Sequence, residues 1–286
     1  MVVPFTPKTC YLEQADKVEG VYALVLNRPR ARNALSIQLV DELSEALDKV
    51  SSDRRIQVLI IRSSSDTAFC AGADLIERRS MTEAQVETFL VKLNQVLSRL
   101  DSFPIPTIAA IDGPALGGGL ELALTCDFRV AASNVTKMGF PEVKLGVIPG
   151  AGGTQRAPRV IGLTRAKEAV FTGRMLDAHV AKEWGGYLKT KVWRIYSHPF
   201  LGLVDYVADA PTTAYSRALE LASEMAGGAP LALRAAKASI SLALEVPLDA
   251  GLEHERACYE PLLSTRDRVE ALDAFREKRP PVFRGE

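Results

Sequence analysis

The sequence has 286 residues, of which 47% are hydrophobic and 24% are charged, with 35 basic and 35 acidic side chains. This length allows one large domain with a full hydrophobic core, or one domain with a helical appendage. The zero net charge argues against a nucleic-acid backbone or an anionic membrane as the main partner, although a local basic patch remains compatible with it.

The first part of the chain alternates strand and helix patterns. A short apolar run at Val21–Leu26 indicates a strand, and leucines at helical spacing follow it, with Asn33 or Ser36 available as the helix cap. The β-branched run at 58–61 indicates a buried strand. Strands and helices in alternation, with short connections, predict an α/β fold with largely parallel strand pairing.

A long helix and another strand come next. Thr82 and Gln85 have the spacing of a capping box at the start of this helix, whose apolar stripe ends at Leu100. The run at Thr107–Ile111, which follows two prolines, indicates the next strand.

The last third of the chain has apolar residues at helical spacing only. We therefore divide the chain into a core at 1–211 and an all-helical region at 212–286. No uninterrupted apolar stretch reaches about 18 residues, so we expect no membrane span. The first residues lack the pattern of a signal or transit peptide, so a targeting segment for an organelle would be absent from this chain.

Two loops of small residues follow predicted strands. Three glycines at 117–119 open a helix, and the turn at 69–75 (FCAGADL) follows the strand at 58–61. Backbone N–H groups from two such loops can stabilise the anionic oxygen of a thioester enolate, whereas the alternative is two unrelated turns. The glycine spacing is not GxGxxG and no P-loop lysine follows, so phosphate binding is the weaker interpretation.

Two glutamates lie beside these glycine-rich turns. Glu121 comes three residues after Gly118, and Glu142 precedes the glycine-rich run at 146–153. Two carboxyl groups can hold a water molecule and exchange a proton with a substrate, provided that one of them is protonated. Most glutamates are solvated surface groups, so their position beside the turns is what makes these two candidates for catalysis.

Metal and nucleophile patterns are weak. The cysteines form no CxxC pair, which favours reduced thiols inside a cell over a disulfide framework or a zinc site: Cys10, Cys70, Cys126 and Cys258. None of the histidines has the spacing of a metal ligand: His179, His198 and His254. A triad hydrolase is disfavoured, because the chain has no G-x-S-x-G motif and no histidine in its glycine-rich half.

Five segments, in order along nearly the whole chain, resemble the crotonase (enoyl-CoA hydratase) superfamily. They are LNRPRARNAL at 26–35, FCAGADL at 69–75, ALGGGLELAL at 115–124, PEVKLGVIPGAGGTQR at 141–156 and AFREKRPP at 274–281. Within the superfamily, the chain is most similar to the methylglutaconyl-CoA hydratase group. The resemblance implies a spiral of β-β-α turns, a helical C-terminal region that forms trimers, and a homotrimer or a hexamer of two trimers.

The resemblance also implies roles for residues of the site. The oxyanion-hole amides fall on Ala73 and Gly118, and the two catalytic glutamates fall on Glu121 and Glu142. By this likeness Glu121 helps to hold and activate water, Glu142 supplies the proton to the α-carbon, and the amide of Gly150 helps to position the water.

For coenzyme A, the resemblance implies contacts from the turn at Arg30, Ala31 and Arg32, from the carbonyl of Ala71, and, across a subunit boundary, from Phe275 and Lys278. Coenzyme A is part of the substrate, so no separate cofactor and no metal is implied. Many relatives carry a lysine after GADL where this chain has Ile76, so Arg78 or Arg79 would have to supply that phosphate contact.

About 17 extra residues, at about 186–202, interrupt the resemblance. They are aromatic and aperiodic, whereas the segments on both sides fit the family pattern. Our hypothesis is that this segment is a translated unspliced intron or a lineage insertion, and not a functional module.

The leading hypothesis for function is hydration of the α,β double bond of an enoyl-CoA thioester. The expected substrate is 3-methylglutaconyl-CoA in leucine degradation, and the expected location is the mitochondrion. The alternative is a broad short-chain enoyl-CoA hydratase of fatty-acid β-oxidation. A different class is RNA binding, which is associated with the same group but is disfavoured by the neutral charge. A non-catalytic scaffold is a third possibility, should the extra segment disrupt the core.

Overall fold

The computed structural model describes residues 8–16, 18–185 and 202–286. The described strands are β1 (Cys10–Gln14), β2 (Val21–Leu26), β3 (Val58–Ser63), β4 (Thr107–Ile111), β5 (Ala115–Leu116), β6 (Phe128–Ala132), β7 (Met138–Gly139) and β8 (Tyr206–Ala208). The described helices are α1 (Ile37–Ser52), α2 (Leu75–Arg79), α3 (Glu83–Asp101), α4 (Gly118–Ala123), α5 (Gly153–Thr172), α6 (Ala178–Glu183), α7 (Ala214–Ala226), α8 (Pro230–Leu242), α9 (Leu248–Tyr259) and α10 (Arg266–Glu277).

Six strands form one sheet in the order β1-β2-β3-β4-β6-β8. All its neighbours pair in parallel except β1 and β2, which are antiparallel. The prediction of an α/β fold with largely parallel pairing is therefore confirmed. Strand β1 was not predicted, because only its first residue is fully buried and its sequence lacks a continuous apolar run.

The short strands form a second, smaller layer, and in chain order they come between the long strands of the main sheet. β5 pairs in parallel with β7, and isolated bridges link Leu35 to Ala73 and Cys70 to Ala115. Successive turns of the chain thus give a long strand to the main sheet and then a short segment to the smaller layer. The predicted spiral is confirmed, and the loops that carry the candidate site belong to its smaller layer.

Local helix signals decide how the first helices begin. The Ser36 hydroxyl accepts a hydrogen bond from the amide of Leu39 at 3.2 Å, so Ser36 is the cap of α1 and the alternative cap, Asn33, is wrong. The side chain of Asn33 is instead buried and donates to the carbonyl oxygens of Ala68 and Phe69. The capping box of Thr82 at the start of α3 is confirmed.

The C-terminal region is helical, as predicted. Its first helix, α7, packs against the main sheet through three buried alanines, Ala214, Ala218 and Ala222, whose small side chains permit a close approach. The later helices and the turn after α8 expose large apolar side chains, among them Ile240, Leu244 and Phe275, which are 72%, 84% and 86% exposed. The domain boundary at 212 and the role of this region in assembly stay predictions.

A buried ion pair fixes the chain where it re-enters the sheet at β8. Arg129 Nη2 lies 2.8 Å from Asp205 Oδ2, and both side chains are almost fully buried. The same carboxylate accepts the backbone N–H of Arg129 at 2.7 Å. Except for Gly202, the extra segment at 186–202 lies outside the described residues. Among the helices that the structure describes, none combines the length and apolarity that crossing a bilayer requires.

Replacement of Asp205 by leucine should destabilise the protein. The substitution leaves the guanidinium of Arg129 buried without its counter-charge, so we expect the free energy of unfolding to fall by about 3–5 kcal/mol. Urea denaturation followed by circular dichroism measures this change. Glu220→Ala, which removes an exposed pair with Arg217, is the control and should cost less than about 1 kcal/mol. Equal stability of the two variants would contradict the role of the buried pair.

Candidate active site

Two loops of the smaller layer approach each other at backbone distance. Gly72 and Gly117 both have positive φ, at 89° and 50°, which favours glycine. A Cβ atom at Gly72 would lie 2.7 Å from the carbonyl oxygen of Leu116 and 3.3 Å from the amide nitrogen of Gly118. A side chain at Gly72 would therefore push the two loops apart.

The close approach brings two backbone N–H groups together. A Cβ atom at Gly118 would lie 3.9 Å from the amide nitrogen of Ala73, so the two amides border the same small space. Neither amide donates a hydrogen bond to any residue that the structure describes. Ala73 and Gly118, which belong to different turns of the spiral, can thus both donate to one ligand oxygen.

Glu121 projects from the first turn of α4 into the interior and is only 2% exposed. Its Oε1 atom accepts hydrogen bonds from the backbone N–H groups of Ala151 at 2.8 Å and Gly153 at 2.7 Å. Burial raises the pKa of Glu121, and these two N–H donors oppose the rise because they favour the carboxylate. Oε2 has no donor among the described residues and can face a ligand.

Glu142 reaches the other loop from the turn at Glu142–Leu145. Its Oε1 atom lies 2.5 Å from the place where Gly117 would carry a Cβ, so the carboxyl group fits against the bare glycine backbone. Its Oε2 atom is buried and has no hydrogen-bond partner among the described residues. Burial raises the pKa of Glu142 to about 7, and the negative charge of Glu121 adds to the rise.

The loop that holds Glu121 is itself fixed by α3. Asn94 Nδ2 donates to the carbonyl oxygen of Gly150 at 2.8 Å, so the peptide between Gly150 and Ala151 is held by Asn94 on one side and by Glu121 on the other. Gly150 therefore lies in this loop, and its predicted contact with water stays a prediction.

A second contact to α3 passes through Arg156. This side chain bonds to Asp101 at 3.0 Å and to the carbonyl oxygen of Ala151 at 3.0 Å. The sequence interpretation missed both Asn94 and Arg156. A polar contact by Asn94 could have been suspected from the sequence, because this amide side chain lies at the edge of the apolar stripe of α3.

The residues expected to bind coenzyme A fall into two groups. Ala71 and the turn at Pro29–Ala31 are adjacent, because the amide of Ala71 donates to the carbonyl oxygen of Arg32 at 2.9 Å. Arg30 and Arg32 are exposed, and neither forms an ion pair with the described residues. An anionic group can therefore reach both guanidinium groups from the solvent.

Phe275 and Lys278, which complete the expected contacts, lie at the end of α10. The ring of Phe275 is 86% exposed, and α10 packs mainly against the turn at Glu260–Ser264 rather than against the site. Within one chain the structure does not bring these two residues to Glu121 and Glu142. Their contact across a subunit boundary stays a prediction.

Metal-ligand clusters are absent from the described ranges 8–16, 18–185 and 202–286. No group of three or more His, Cys, Asp or Glu side chains in them could hold a metal ion.

The arrangement as a whole suits an acyl compound that develops negative charge on its carbonyl oxygen. Two free N–H groups can donate to such an oxygen, Glu142 lies against Gly117 next to one of them, and Glu142 is close enough to Glu121 for their charges to interact. One carboxylate is held by N–H donors, whereas the other is protonated for much of the time near neutral pH. Such a pair can handle the proton transfers of an addition to the adjacent carbon atoms.

The chain is similar over its length to known proteins. The family model for enoyl-CoA hydratase/isomerase matches residues 16–192 and 200–286. An enoyl-CoA isomerase/hydratase of Mycosarcoma maydis is 52% identical, with 96% of this chain and 97% of the relative covered. A mitochondrial methylglutaconyl-CoA hydratase of Mus musculus is 46% identical, with 96% of this chain and 82% of the relative covered.

Solved structures agree with these relatives. The crystal structure of an enoyl-CoA hydratase from Bacillus anthracis superposes with a TM-score of 0.87 at 40% identity, and covers 97% of this chain and 100% of that chain. The likeness therefore extends over the spiral and the C-terminal helices together.

The stability of a Glu142→Gln variant should depend on pH differently from that of the native chain. Because the folded pKa of Glu142 is raised from 4.5 to about 7, its contribution to stability is present below pH 4.5 and is lost as the pH rises through 7. We expect Glu142→Gln to match the native protein at pH 4.5 and to be more stable at pH 8, by about 1–2 kcal/mol after allowance for solvent screening of a half-buried group.

Thermal unfolding at the two pH values measures the difference. The matched control is Glu87→Gln, which makes the same substitution at an exposed glutamate on α3. This control should show no pH-dependent gain. A Glu142→Gln variant whose gain is equal at both pH values would contradict the raised pKa.

Proposed function

Because this chain belongs to the enoyl-CoA hydratase/isomerase family, we propose that its preferred substrate is 3-methylglutaconyl-CoA. The protein is a hydro-lyase that acts on acyl-CoA thioesters. The finer choice of substrate is supported by the 46% identity to a relative named methylglutaconyl-CoA hydratase. The observation that carries the hydration chemistry is the convergence of two free amides and two unlike carboxyl groups, which would serve any enoyl-CoA. The choice of acyl group rests on the identity to that relative.

The thioester carbonyl binds between the amides of Ala73 and Gly118. When water adds to the β-carbon, electron density moves through the α-carbon onto this oxygen, and the two N–H groups stabilise the resulting enolate. Removal of one such donor from an oxyanion hole costs an enzyme about 3–4 kcal/mol of transition-state stabilisation. These amides belong to the backbone, so the stabilisation is built into the fold and not into any side chain.

The two glutamates divide the proton transfers. Oε2 of Glu121 accepts a proton from the water molecule as its oxygen bonds to the β-carbon, while Oε1 stays bound to the loop amides. Glu142, in its protonated form, delivers its proton to the α-carbon. The proton on Glu121 then returns to Glu142 through solvent, which restores both groups and leaves the thioester with one water molecule added.

A broad short-chain enoyl-CoA hydratase of fatty-acid oxidation is the alternative, because the same catalytic groups serve any enoyl-CoA. Movement of the double bond is a second alternative within the family, since the relative at 52% identity is named isomerase/hydratase. RNA binding is disfavoured by the equal numbers of 35 basic and 35 acidic residues.

We also propose that the chain assembles into a homotrimer or a hexamer of two trimers, and that it is located in the mitochondrion. The exposed apolar side chains of α8 and α10 are those that a homotrimer or a hexamer of two trimers would cover, and Phe275 and Lys278 would then approach the site of a neighbouring copy. A mitochondrial location is supported by relatives named as mitochondrial proteins. Coenzyme A enters as part of the substrate, without a separate cofactor.

A substrate panel tests the proposed activity. We expect the value of kcat/KM for 3-methylglutaconyl-CoA to exceed that for crotonyl-CoA by about tenfold or more, because roughly 1.4 kcal/mol of added binding gives a factor of ten. Hydration is followed by loss of the enoyl-thioester absorbance, and product chromatography separates it from isomerisation. Equal values for the two substrates would favour the broad hydratase instead.

Substitution of either glutamate should stop turnover. Glu142→Gln keeps the shape of the side chain but has no acidic proton, so kcat should fall by about 100-fold or more while binding of a saturated acyl-CoA changes little. Glu121→Gln should lower kcat to a similar extent, because the amide of glutamine cannot accept the proton from water. Near-normal kcat in the Glu142→Gln variant would remove Glu142 from its role.

A further inference from the structure

Arg78 lies on the side of α2 that faces the protein interior. Ile76, two residues earlier and roughly 200° away around the helix, is 89% exposed. The guanidinium carbon of Arg78 instead lies 4.1 Å from the centre of the Phe89 ring on α3. Arg78 therefore points away from the position where many relatives carry a lysine, whereas Arg79 is exposed one turn beyond Ile76.

The guanidinium of Arg78 has no counter-charge in the described chain. Its Nη1 atom is buried without a hydrogen-bond partner, and the residue forms no ion pair with any described carboxylate. The neighbouring Glu77 uses its Oε2 atom to accept the amide of Ile37 at 2.9 Å. Burial lowers the pKa of Arg78, and the charge of Glu77 partly opposes this. The contact with the Phe89 ring stabilises the cation only in part, and a half-buried cation without a counter-charge is unfavourable unless a ligand supplies one.

The position of Arg78 relative to the site follows from the elements around it. Arg78 is five residues beyond Ala73, whose amide faces the thioester oxygen. Leu90, next to Phe89 on α3, has its Cδ2 atom 3.5 Å from the place where Gly150 would carry a Cβ. Gly150 in turn precedes Ala151, which holds Glu121. The region between α2 and α3 thus borders the loop that holds Glu121, to which we assign the water that adds to the β-carbon.

A cavity along α3 leaves room for the rest of an acyl chain. Its volume is about 850 Å³, and its lining includes Met81, Leu90 and Gly150. The amide of Met81 donates to the carbonyl oxygen of Arg78 at 3.1 Å, so one end of this lining is bonded to the end of α2. The guanidinium of Arg78 lies beside the lining, on the ring of Phe89, which precedes Leu90 in α3. An acyl group in the cavity could reach it from the end at Met81 and Leu90.

We propose that Arg78 binds a carboxylate at the far end of the acyl group and so selects an enoyl-CoA whose acyl chain is a dicarboxylic acid. The inference rests on the proposed function, because 3-methylglutaconyl-CoA has such a carboxylate and crotonyl-CoA has none. A guanidinium can bind both carboxylate oxygens with two parallel hydrogen bonds. Arg78 is thus a specificity-determining residue, while the reacting atoms are handled elsewhere.

The test compares ligands that differ only at the end of the acyl chain. Glutaryl-CoA and pentanoyl-CoA have five acyl carbons each, and only the first ends in a carboxylate. Their dissociation constants are measured by calorimetry for the native protein and for Arg78→Met, Arg78→Lys and Arg79→Met. Because both ligands are unreactive, the measurement is informative whether or not the protein hydrates either enoyl-CoA.

In the native protein, we expect glutaryl-CoA to bind more tightly than pentanoyl-CoA. Arg78→Met should raise the dissociation constant of glutaryl-CoA by about 30-fold and change that of pentanoyl-CoA by less than about threefold. Arg78→Lys should retain part of the preference, and Arg79→Met should keep the ratio of the two constants near its native value. In turnover of 3-methylglutaconyl-CoA, the loss in Arg78→Met should appear in KM more than in kcat.

Three results would overturn the inference. Native protein that binds the two ligands equally has no carboxylate subsite. An equal loss of affinity for both ligands in Arg78→Met would assign Arg78 to a phosphate of coenzyme A. If neither ligand lost affinity in this variant, Arg78 would have no role in ligand binding. Each of these results is compatible with hydration of crotonyl-CoA by the native protein, so the inference can fail while the proposed hydratase activity stands.

Discussion

The site depends on how closely two backbone segments approach each other. The loop at 70–73 and the loop at 116–119 meet where Gly119 lies against the carbonyl group of Cys70, and any Cβ atom at Gly119 would overlap that oxygen. Gly72 has the same relation to the carbonyl oxygen of Leu116. Because glycine alone tolerates both contacts, the amides of Ala73 and Gly118 can share one small space. The rest of the site is arranged around this space.

The two carboxyl groups differ because their surroundings differ: Glu121 is fully buried and Glu142 is half-buried. Glu121 has two backbone N–H donors on one oxygen, and these favour the charged form. Glu142 has no described donor to its buried Oε2 atom, and it lies within the influence of the charge on Glu121. These surroundings favour the charged form more strongly at Glu121 than at Glu142, which is what the proposed division of the proton transfers requires.

Local signals in the sequence were enough to predict strands β2, β3 and β4, the capping box of α3 and the glycine-rich turns beside the two glutamates. Contacts between distant parts of the chain were not predictable in this way. Asn94 and Gly150 are 56 residues apart, and Arg156 and Asp101 are 55 apart, so no local pattern links either pair. Asn33 and Ser36 are both good capping residues, and the choice depends on distant contacts, because the side chain of Asn33 is used to bond the carbonyl oxygens of Ala68 and Phe69.

The residues on either side of 186–201 are both bonded to the core. Before this segment, Arg165 Nη1 donates to the carbonyl oxygens of Glu183 and Gly185 at 2.9 Å each. After it, Gly202 packs directly on the backbone of Ala181, and Asp205 is paired with Arg129. Both ends are thus tied to the core independently of the residues that join them. The length of this connection can therefore change without shifting the register of β8. Such a change would also leave the catalytic centre in place.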